Sequence, residues 1–431
     1  MNRVRLSILP GDELRARLPA TVLARLGENS GVGVQLAAGG RTVSVHLAAG
    51  APPARMLLTR PVAEVLSLPA GLRVRLRRAA DGRIRLGPLV GILTFRSGRK
   101  PFGPHTPLVR AVARRANAAG VVAYAFRPDD IRWADGTVYG RYRQTGIWQR
   151  GRFPLPDVVY DRISCRAHEA RPEVAQARSA LKAQLPGRYF PPGFLGKLAV
   201  HSTLAGVAGL ARHLPATAPF TPEAIVRMLG AYRQVYLKPD DGSRGRGILR
   251  LARLSGSGVH YRYAGGAGGR ERSLADFLAG RGKVLADRPY LVQQGIAAAT
   301  FGRRPFDVRV LLQRDGANRW RITRSYARVA GPGRVVANVS RGGTALGLAR
   351  AVRKRSVRQS IRTVARRVPS ALESALGEPL GELGVDLAVT RGGRVFILEV
   401  NAKPYRMTWG WGSGPTFRYP LAYARYLARL I

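Results

Sequence analysis

The sequence predicts a mixed α/β (α+β) chain built in three parts, and three stretches carry that prediction. The first 87 residues contain an internal repeat, residues 89–126 run strand, loop, helix, strand, and residues 384–404 form a pair of apolar strands that each carry one acid. With 431 residues the chain exceeds one typical hydrophobic core, so two or three domains are expected. The expected boundaries are 1–87, 88–184 and 185–431.

In the first part, Val22, Leu26, Val32, Val34 and Leu36 recur forty positions later as Val62, Leu66, Leu72, Val74 and Leu76. Each copy reads as a short helical turn, a glycine-bearing loop and an alternating strand, followed by a further strand at 43–45 or 84–86. Repetition of this kind predicts two supersecondary units closing on each other as a small β-barrel, of the double-psi or swapped-hairpin kind. Its arginine-rich outer strand (Arg73, Arg75, Arg77, Arg78) is either a solvated face or an anion contact.

The second part opens after Gly87-Pro88 with the continuous apolar run 89–95, as expected of a buried parallel strand. A helical pattern over 107–119, stopped by Gly120, and the strand 121–126 complete one Rossmann-like unit. A GxGxxG fingerprint does not follow the first strand, so a dinucleotide site is not expected. Residues 157–163 supply a closing strand, in which Asp161 and Arg162 read as a local ion pair.

The third part begins with a helix expected from Lys197 to about Ala211, and Thr221-Pro222-Glu223 then forms a capped helix start. The strand 235–239 carries Lys238 and leads into a loop containing Gly242, Ser243, Gly245 and Gly247 before a second strand. Glycines let backbone amides approach phosphate oxygens while the lysine supplies a point charge. The lysine precedes the glycines and the loop joins two strands, unlike GxxxxGK[ST], so the segment would act as a flap. A glycine-rich hairpin without a ligand is the alternative. Gln293, Gln294, Gly295 and Ile296 mark a strand breaking into a hinge with backbone groups for a flat heteroaromatic edge. Arg309 and Arg328 sit among apolar neighbours, where a fixed charge is costly unless an anion meets it. Asn338 and the Gly342-Gly343 turn follow.

The closing hairpin sets Asp386 and Glu399 on neighbouring strands, with Asn401 two residues beyond Glu399 and therefore on the same face. Two carboxylates and an amide oxygen are hard ligands suited to Mg2+ that also shares phosphate oxygens. The alternative is that Asp386 caps a turn and Glu399 pairs with an arginine.

Composition bounds the partners. The 72 basic and 25 acidic residues give a formal charge of +47, which favours polyanions, while 45% hydrophobic content marks a globular chain. Cys165 is the single cysteine, so no intramolecular disulfide forms and a reducing compartment is expected. The opening residues lack the apolar core of a signal peptide, and no stretch reaches the ~18 apolar residues of a membrane span. A cytoplasmic protein without a membrane span is the expectation.

Taken in this order, the lysine, flap, hinge, arginines and acid-bearing hairpin resemble the ATP-grasp superfamily over about residues 185–431. The run Asp307-Val308-Arg309, Arg328, Asn338, Gly384-Val385-Asp386 and Glu399-Val400-Asn401 is similar to glutamate ligases that modify ribosomal proteins. With the duplicated first part, the Gly87-Pro88 junction and Tyr160-Asp161-Arg162-Ile163, the whole chain looks most like the endospore coat-associated YheC/YheD family. The resemblance implies an ATP-grasp fold preceded by a Rossmann-like pre-ATP-grasp domain. It assigns Lys197 and Lys238 to nucleotide phosphates, Gly242, Ser243, Gly245 and Gly247 to the phosphate-covering loop, and Gln293 to Ile296 to the adenine hinge. It assigns Asp386, Glu399 and Asn401 to magnesium, Arg309 and Arg328 to the γ-phosphate and acyl-phosphate, and Asn338 to the reaction centre. Ser340 and Arg341 depart from the ligases, which leaves the acceptor side open.

The implied activity is ATP- and Mg2+-dependent carboxylate–amine ligation through an acyl-phosphate, in a sporulation or spore-coat setting, with the carboxylate and amine unidentified. The basic helix expected at 350–367 would draw an acidic peptide or glutamate-rich tail, or is a solvated face. Two other readings are a coat assembly protein that binds ATP without turnover, associated with spore-coat proteins, and charge-driven nucleic-acid binding. The last lacks a specific reader motif.

Overall fold

The computed structural model describes residues 2–95, 100–242, 245–334, 337, 342–404 and 415–430. Ser243, Asn338, Ser340 and Arg341 therefore lie outside the described residues. The chain divides into two compact units, one formed by 1–193, 314–319 and 405–431, the other by 194–313 and 320–404.

The first unit begins with a closed seven-stranded barrel. Its strands run in the order Arg3–Leu9, Arg55–Thr59, Arg15–Leu18, Arg41–Ala49, Val32–Ala38, Ile84–Gly87 and Arg73–Arg78. The repeat is visible as paired helices, Ala20–Leu26 and Arg60–Leu66, each followed by a strand of the barrel. Both helices end on a left-handed residue at corresponding positions, Gly27 (φ +70°) and Ser67 (φ +50°). That conformation turns the chain away from the helix axis. Alternation along Arg73–Arg78 buries Val74 and Leu76 and turns Arg73, Arg75 and Arg77 to the other face.

A seven-stranded sheet follows, with Val122–Phe126, Leu89–Leu93, Val158–Asp161 and Tyr189–Phe190 adjacent and parallel. The helix Thr106–Ala119 makes the crossover and ends at Gly120 (φ +67°), as the sequence predicts. Asp161 pairs with Arg178 at 3.0 Å and accepts from the Tyr189 hydroxyl at 2.7 Å. Barrel and sheet share one apolar cluster, in which Leu36, Leu47 and Leu76 join Tyr124, Phe126 and Val159. The helix Tyr419–Leu427 packs Leu421, Ala424 and Leu427 with Val90, Ile92 and Tyr160. This burial is why the end of the chain belongs to the first unit, although the sequence places it within the 185–431 segment.

The second unit contains two six-stranded sheets. One is antiparallel, in the order Thr217–Pro219, Tyr290–Gln294, Gln234–Pro239, Leu249–Arg253, Val259–Tyr263 and Gly268–Glu271. Helices Pro222–Ala231 and Leu274–Ala286 cover one face through Ile225, Leu229 and Phe277. The Thr221 hydroxyl accepts from the Ala224 amide at 3.0 Å, the expected cap. The other sheet runs Thr344–Gly347, Trp320–Val329, Arg304–Arg314, Glu382–Val389 and Val395–Asn401, with Thr300–Phe301 pairing Arg304–Arg314. Its apolar face meets the helix Arg355–Leu376 through Ile361, Val364 and Val368. The helix opening at Lys197 ends at Ala205 instead of near Ala211, where Gly206 closes it, and a short 3-10 turn covers Ala211–His213.

Candidate functional site

Alternation decides what faces the space between the two sheets of the second unit. Along Gln234–Pro239, Val235 and Leu237 are buried toward the helices, while Gln234, Tyr236 and Lys238 line a cavity of about 600 Å3. The second sheet supplies Asp307, Arg328, Asp386 and Glu399 to that cavity, the end of Tyr290–Gln294 supplies Gln293 and Gln294, and the segment after it supplies Ile296, Ala297 and Ala298.

The acid-bearing hairpin forms as expected, with Gly393 (φ +85°) in its turn. Asp386 and Glu399 are direct cross-strand partners, and Asn401 stands opposite Gly384, two residues along the same strand. A bulge just beyond Asp386 leaves Leu398 and Glu399 both lining the cavity. On the other side of Asp386, Arg309 is its partner in the register of Arg304–Arg314 with Glu382–Val389. One row across three strands thus reads Arg309, Asp386, Glu399.

Arg309 donates through Nε and Nη2 to the two oxygens of Asp386, the latter at 2.8 Å. Arg328 lies 3.0 Å from Asp386 Oδ2 and donates to Asp307 through Nε at 2.6 Å and Nη2 at 2.8 Å. Burial pushes the Asp386 carboxyl up, but the two guanidiniums outweigh it and hold it below its ordinary value. Burial wins at Asp307, whose carboxyl is raised despite Arg328. The network therefore contains two arginines and two aspartates at low exposure, each charge needing the others.

Lys238 donates to the side-chain oxygen of Gln293, whose amide nitrogen donates to Thr217 at 3.1 Å. Burial, with Lys197 adding repulsion, pulls the Lys238 ammonium down to about 8, although Glu399, Asp386 and Asp307 oppose the shift. Lys197 lies 3.9 Å from Glu399 and donates to the carbonyls of Asp240 at 3.1 Å and Gly242 at 2.5 Å. It joins Lys238, Gln293 and Glu399 around a smaller adjoining pocket.

The glycine loop joins the antiparallel strands Gln234–Pro239 and Leu249–Arg253, as a flap would. Gly245 (φ +70°) and Gly247 (φ +72°) occupy the left-handed region. At the hinge, Gly295 donates to the Gln234 carbonyl at 2.9 Å, and a Cβ there would meet Gln234 Cγ at 2.4 Å. Lys238, Gln293, Gln294, Ile296, Arg328, Asp386 and Glu399 thus line one cavity, with Arg309 joined through Asp386 and Lys197 through Glu399. Gly242, Gly245 and Gly247 belong to the adjacent loop and are not among the described residues lining that cavity.

Asp307, read from sequence as part of the Asp307-Val308-Arg309 run but given no role, and Tyr236 and Arg250, not singled out there, also line the cavity. Asp307 shares a strand face with Arg309, and that period of two was the available signal. Arg250 stands opposite Tyr236, so only the strand register reveals it. Its Nε is buried without a hydrogen-bond partner among the described residues.

The donor set Asp386, Glu399 and Asn401 has the hard-oxygen chemistry of a Mg2+ site. Glu399 and Asn401 are half-buried and fit that role, whereas both Asp386 oxygens already accept from guanidinium groups. Among the described residues there is no group of three or more His, Cys, Asp or Glu placed to hold a metal by themselves.

Two curated relatives match much of the chain. The endospore coat-associated protein YheD of Bacillus subtilis (strain 168) is 28% identical over 346 residues, covering 76% of this chain and 74% of that protein. The endospore coat-associated protein YheC of the same organism is 26% identical over 323 residues, covering 68% and 84%. Among solved structures, the D-cycloserine synthetase DcsG aligns with a TM-score of 0.49 and 18% identity over 79% of this chain and 99% of that one, too loosely to carry its activity across. The model of the YheC/D-like ATP-grasp family matches residues 187–427, more than half of the chain. The ATP-grasp segment, the Rossmann-like sheet and the duplicated barrel anticipated from sequence are therefore the architecture of a member of the YheC/D-like ATP-grasp family.

Proposed function

We propose that the second unit binds ATP with Mg2+ and that the protein is an ATP-dependent carboxylate–amine ligase. One observation carries this reading: Lys238 belongs to one sheet, yet its ammonium feels Glu399, Asp386 and Asp307 of the other across a cavity of about 600 Å3. Cations and metal-type oxygens facing each other across such a space suit a polyphosphate.

In this reading Lys197 and Lys238 hold phosphates, Gly242, Ser243, Gly245 and Gly247 cover them, and Gln293, Gln294, Gly295 and Ile296 receive the base. Glu399 and Asn401 are the principal metal oxygens, and Asp386 joins them when a guanidinium moves off it. Bound Mg2+ would supply neutralisation of phosphate charge. A substrate carboxylate oxygen attacks the γ-phosphorus and ADP leaves. An amine then attacks the acyl carbon, a C–N bond forms, the C–O bond to phosphate breaks, and the amine's proton passes to solvent. Arg309, Arg328 and Asn338 stabilise charge that develops on phosphoryl oxygens, so no nucleophilic side chain is needed.

The acceptor is proposed to be an acidic peptide or glutamate-rich tail. Arg362, Arg366 and Arg367 are exposed on the outer face of Arg355–Leu376, and this supports that choice. The coat-associated names of the two relatives support a spore-coat setting, reached from the cytoplasm. No described helix is long and apolar enough to cross a membrane. The division 1–87, 88–184 and 185–431 is retained as a proposed division of roles. A second reading, ATP binding in coat assembly without turnover, is favoured by one feature, the engagement of Asp386 by two arginines.

Incubation with ATP, Mg2+ and pools of amino acids and acidic peptides, followed by phosphate release and mass spectrometry, separates the two. Acceptor-dependent ADP with a product one water lighter than its components supports ligation. ATP binding with no acceptor-dependent ADP supports the assembly role.

A further inference from the structure

One face of the first unit sets cations beside an exposed aromatic ring. Strands Thr137–Gln144 and Ile147–Pro154 form a hairpin closed by Thr145 (φ +46°) and Gly146 (φ +89°), a two-residue turn with both central residues left-handed. The turn fixes the register, so Tyr139 stands opposite Arg152, Arg141 opposite Arg150 and Arg143 opposite Trp148. Direct partners share a face, and these side chains therefore stand together. Val138, Tyr142 and Phe153 point the other way, into the apolar cluster shared with the barrel. Arg132, on a short strand paired with Thr137–Gln144, joins the outer face: its guanidinium lies 5.9 Å from the Tyr139 ring centre, and that of Arg150 lies 5.2 Å from it. Arg132, Tyr139, Arg150 and Arg152 line a shallow recess of about 510 Å3 there.

Tyr139 is 36% exposed, and Arg132, Arg141, Arg150 and Arg152 are exposed around it. Their charge is only partly offset. Arg152 pairs with Asp135 at 2.6 Å, and Arg150 lies 3.6 Å from Asp130, which also accepts from Arg127 at 3.2 Å. Arg132 and Arg141 make no ion pair among the described residues, and these include every Asp and Glu of the chain. Arg141 and Arg150, like charges directly opposite each other, repel. A bound polyanion relieves that repulsion, and the ring decides which one. Bases stack on aromatic side chains and guanidinium planes while phosphates meet the arginines, whereas a carboxylate-rich chain gains nothing from a ring. In a duplex the bases are already stacked, so a single strand gains most.

We propose that this hairpin face binds single-stranded nucleic acid without regard to sequence, through stacking on Tyr139 and phosphate contacts from Arg132, Arg141 and Arg150. It is a site apart from the nucleotide cavity of the second unit and does not depend on ATP binding there. Fluorescence anisotropy of the full chain tests it, with a labelled thymidine oligonucleotide of about 12 nucleotides, an abasic oligonucleotide of the same length and a glutamate oligomer of the same charge. At physiological salt the thymidine oligonucleotide should bind about tenfold more tightly than the abasic one, the gain from one stacked base. Tyr139→Ala should erase that difference while abasic binding stays close to wild type, and Tyr139→Phe and Lys238→Met should each keep it. Arg141→Gln/Arg150→Gln should weaken both oligonucleotides and reduce the slope of log affinity against log salt by about 1.4, two phosphate contacts at about 0.7 each. No binding by wild type, equal affinity for thymidine and abasic oligonucleotides, or a preference that survives in Tyr139→Ala would each overturn the proposal. A glutamate oligomer bound as tightly as the thymidine oligonucleotide would also overturn it and assign the face to an acidic protein segment.

Discussion

Lys238 sets the first test, because its ammonium loses a proton at about 8 in the folded protein. Phosphates need the charged form, so ATP affinity should be level below about pH 8 and fall above it by at most about tenfold per pH unit. Lys238→Arg should bind with no such break, and a flat wild-type profile would remove Lys238 from the phosphates. Its effect on stability runs the other way. The unfolded lysine keeps its proton to ~10.4, so the destabilisation is full below about pH 8 and fades as pH rises from there toward ~10.4. Glu399→Gln should cut ATP turnover by about 10²-fold with the melting temperature unchanged, since Glu399 is half-buried and its pair with Lys197 is a long 3.9 Å. Near-normal turnover would exclude it from the site. Arg328 has a different character. Replacing it by alanine leaves half-buried Asp307 and buried Asp386 with Arg309 as the remaining guanidinium among the described ion pairs, and a cost of about 3–5 kcal/mol is expected in scanning calorimetry.

At the scale of elements, Gly295 is the tightest point of the hinge. A Cβ there would lie 2.8 Å from the Gln234 carbonyl oxygen, a backbone atom that cannot swing aside. Gly295→Ala should therefore displace the Gln293–Ile296 segment and weaken ATP binding severalfold while folding persists; unchanged affinity would show that the hinge does not receive the base. Elements with strong local signals were legible in the sequence. The Thr221 cap, the Gly120 stop, the forty-residue repeat and the hairpin around Arg391 each depend on neighbours in the chain. What was not legible depends on register between distant strands. Arg309 was read as facing a phosphate, but its cross-strand position opposite Asp386 gives it a carboxylate partner that only the pairing of Arg304–Arg314 with Glu382–Val389 reveals. Arg250 was missed for the same reason, since only its register with Tyr236 brings it to the cavity.

For the whole molecule, the +47 charge favours diffuse polyanion attraction at low salt. Specific capture of an acidic tail should survive at physiological salt and depend on one helix face. Arg362→Glu/Arg366→Glu/Arg367→Glu should abolish polyglutamate binding there, whereas equal binding by wild type and variant would leave only the diffuse field. The meeting of the barrel's arginines with those near the end of the chain was not legible, because Arg85 and Arg425 are some 340 residues apart in sequence. The account rests on a nucleotide occupying the cavity between the two sheets of the second unit. Titration of Mg2+-ATP into wild-type protein and Lys238→Met tests this most directly. One nucleotide per chain, bound at least tenfold more weakly by the variant, is the predicted result, and absence of binding or equal affinity in the two proteins would contradict it.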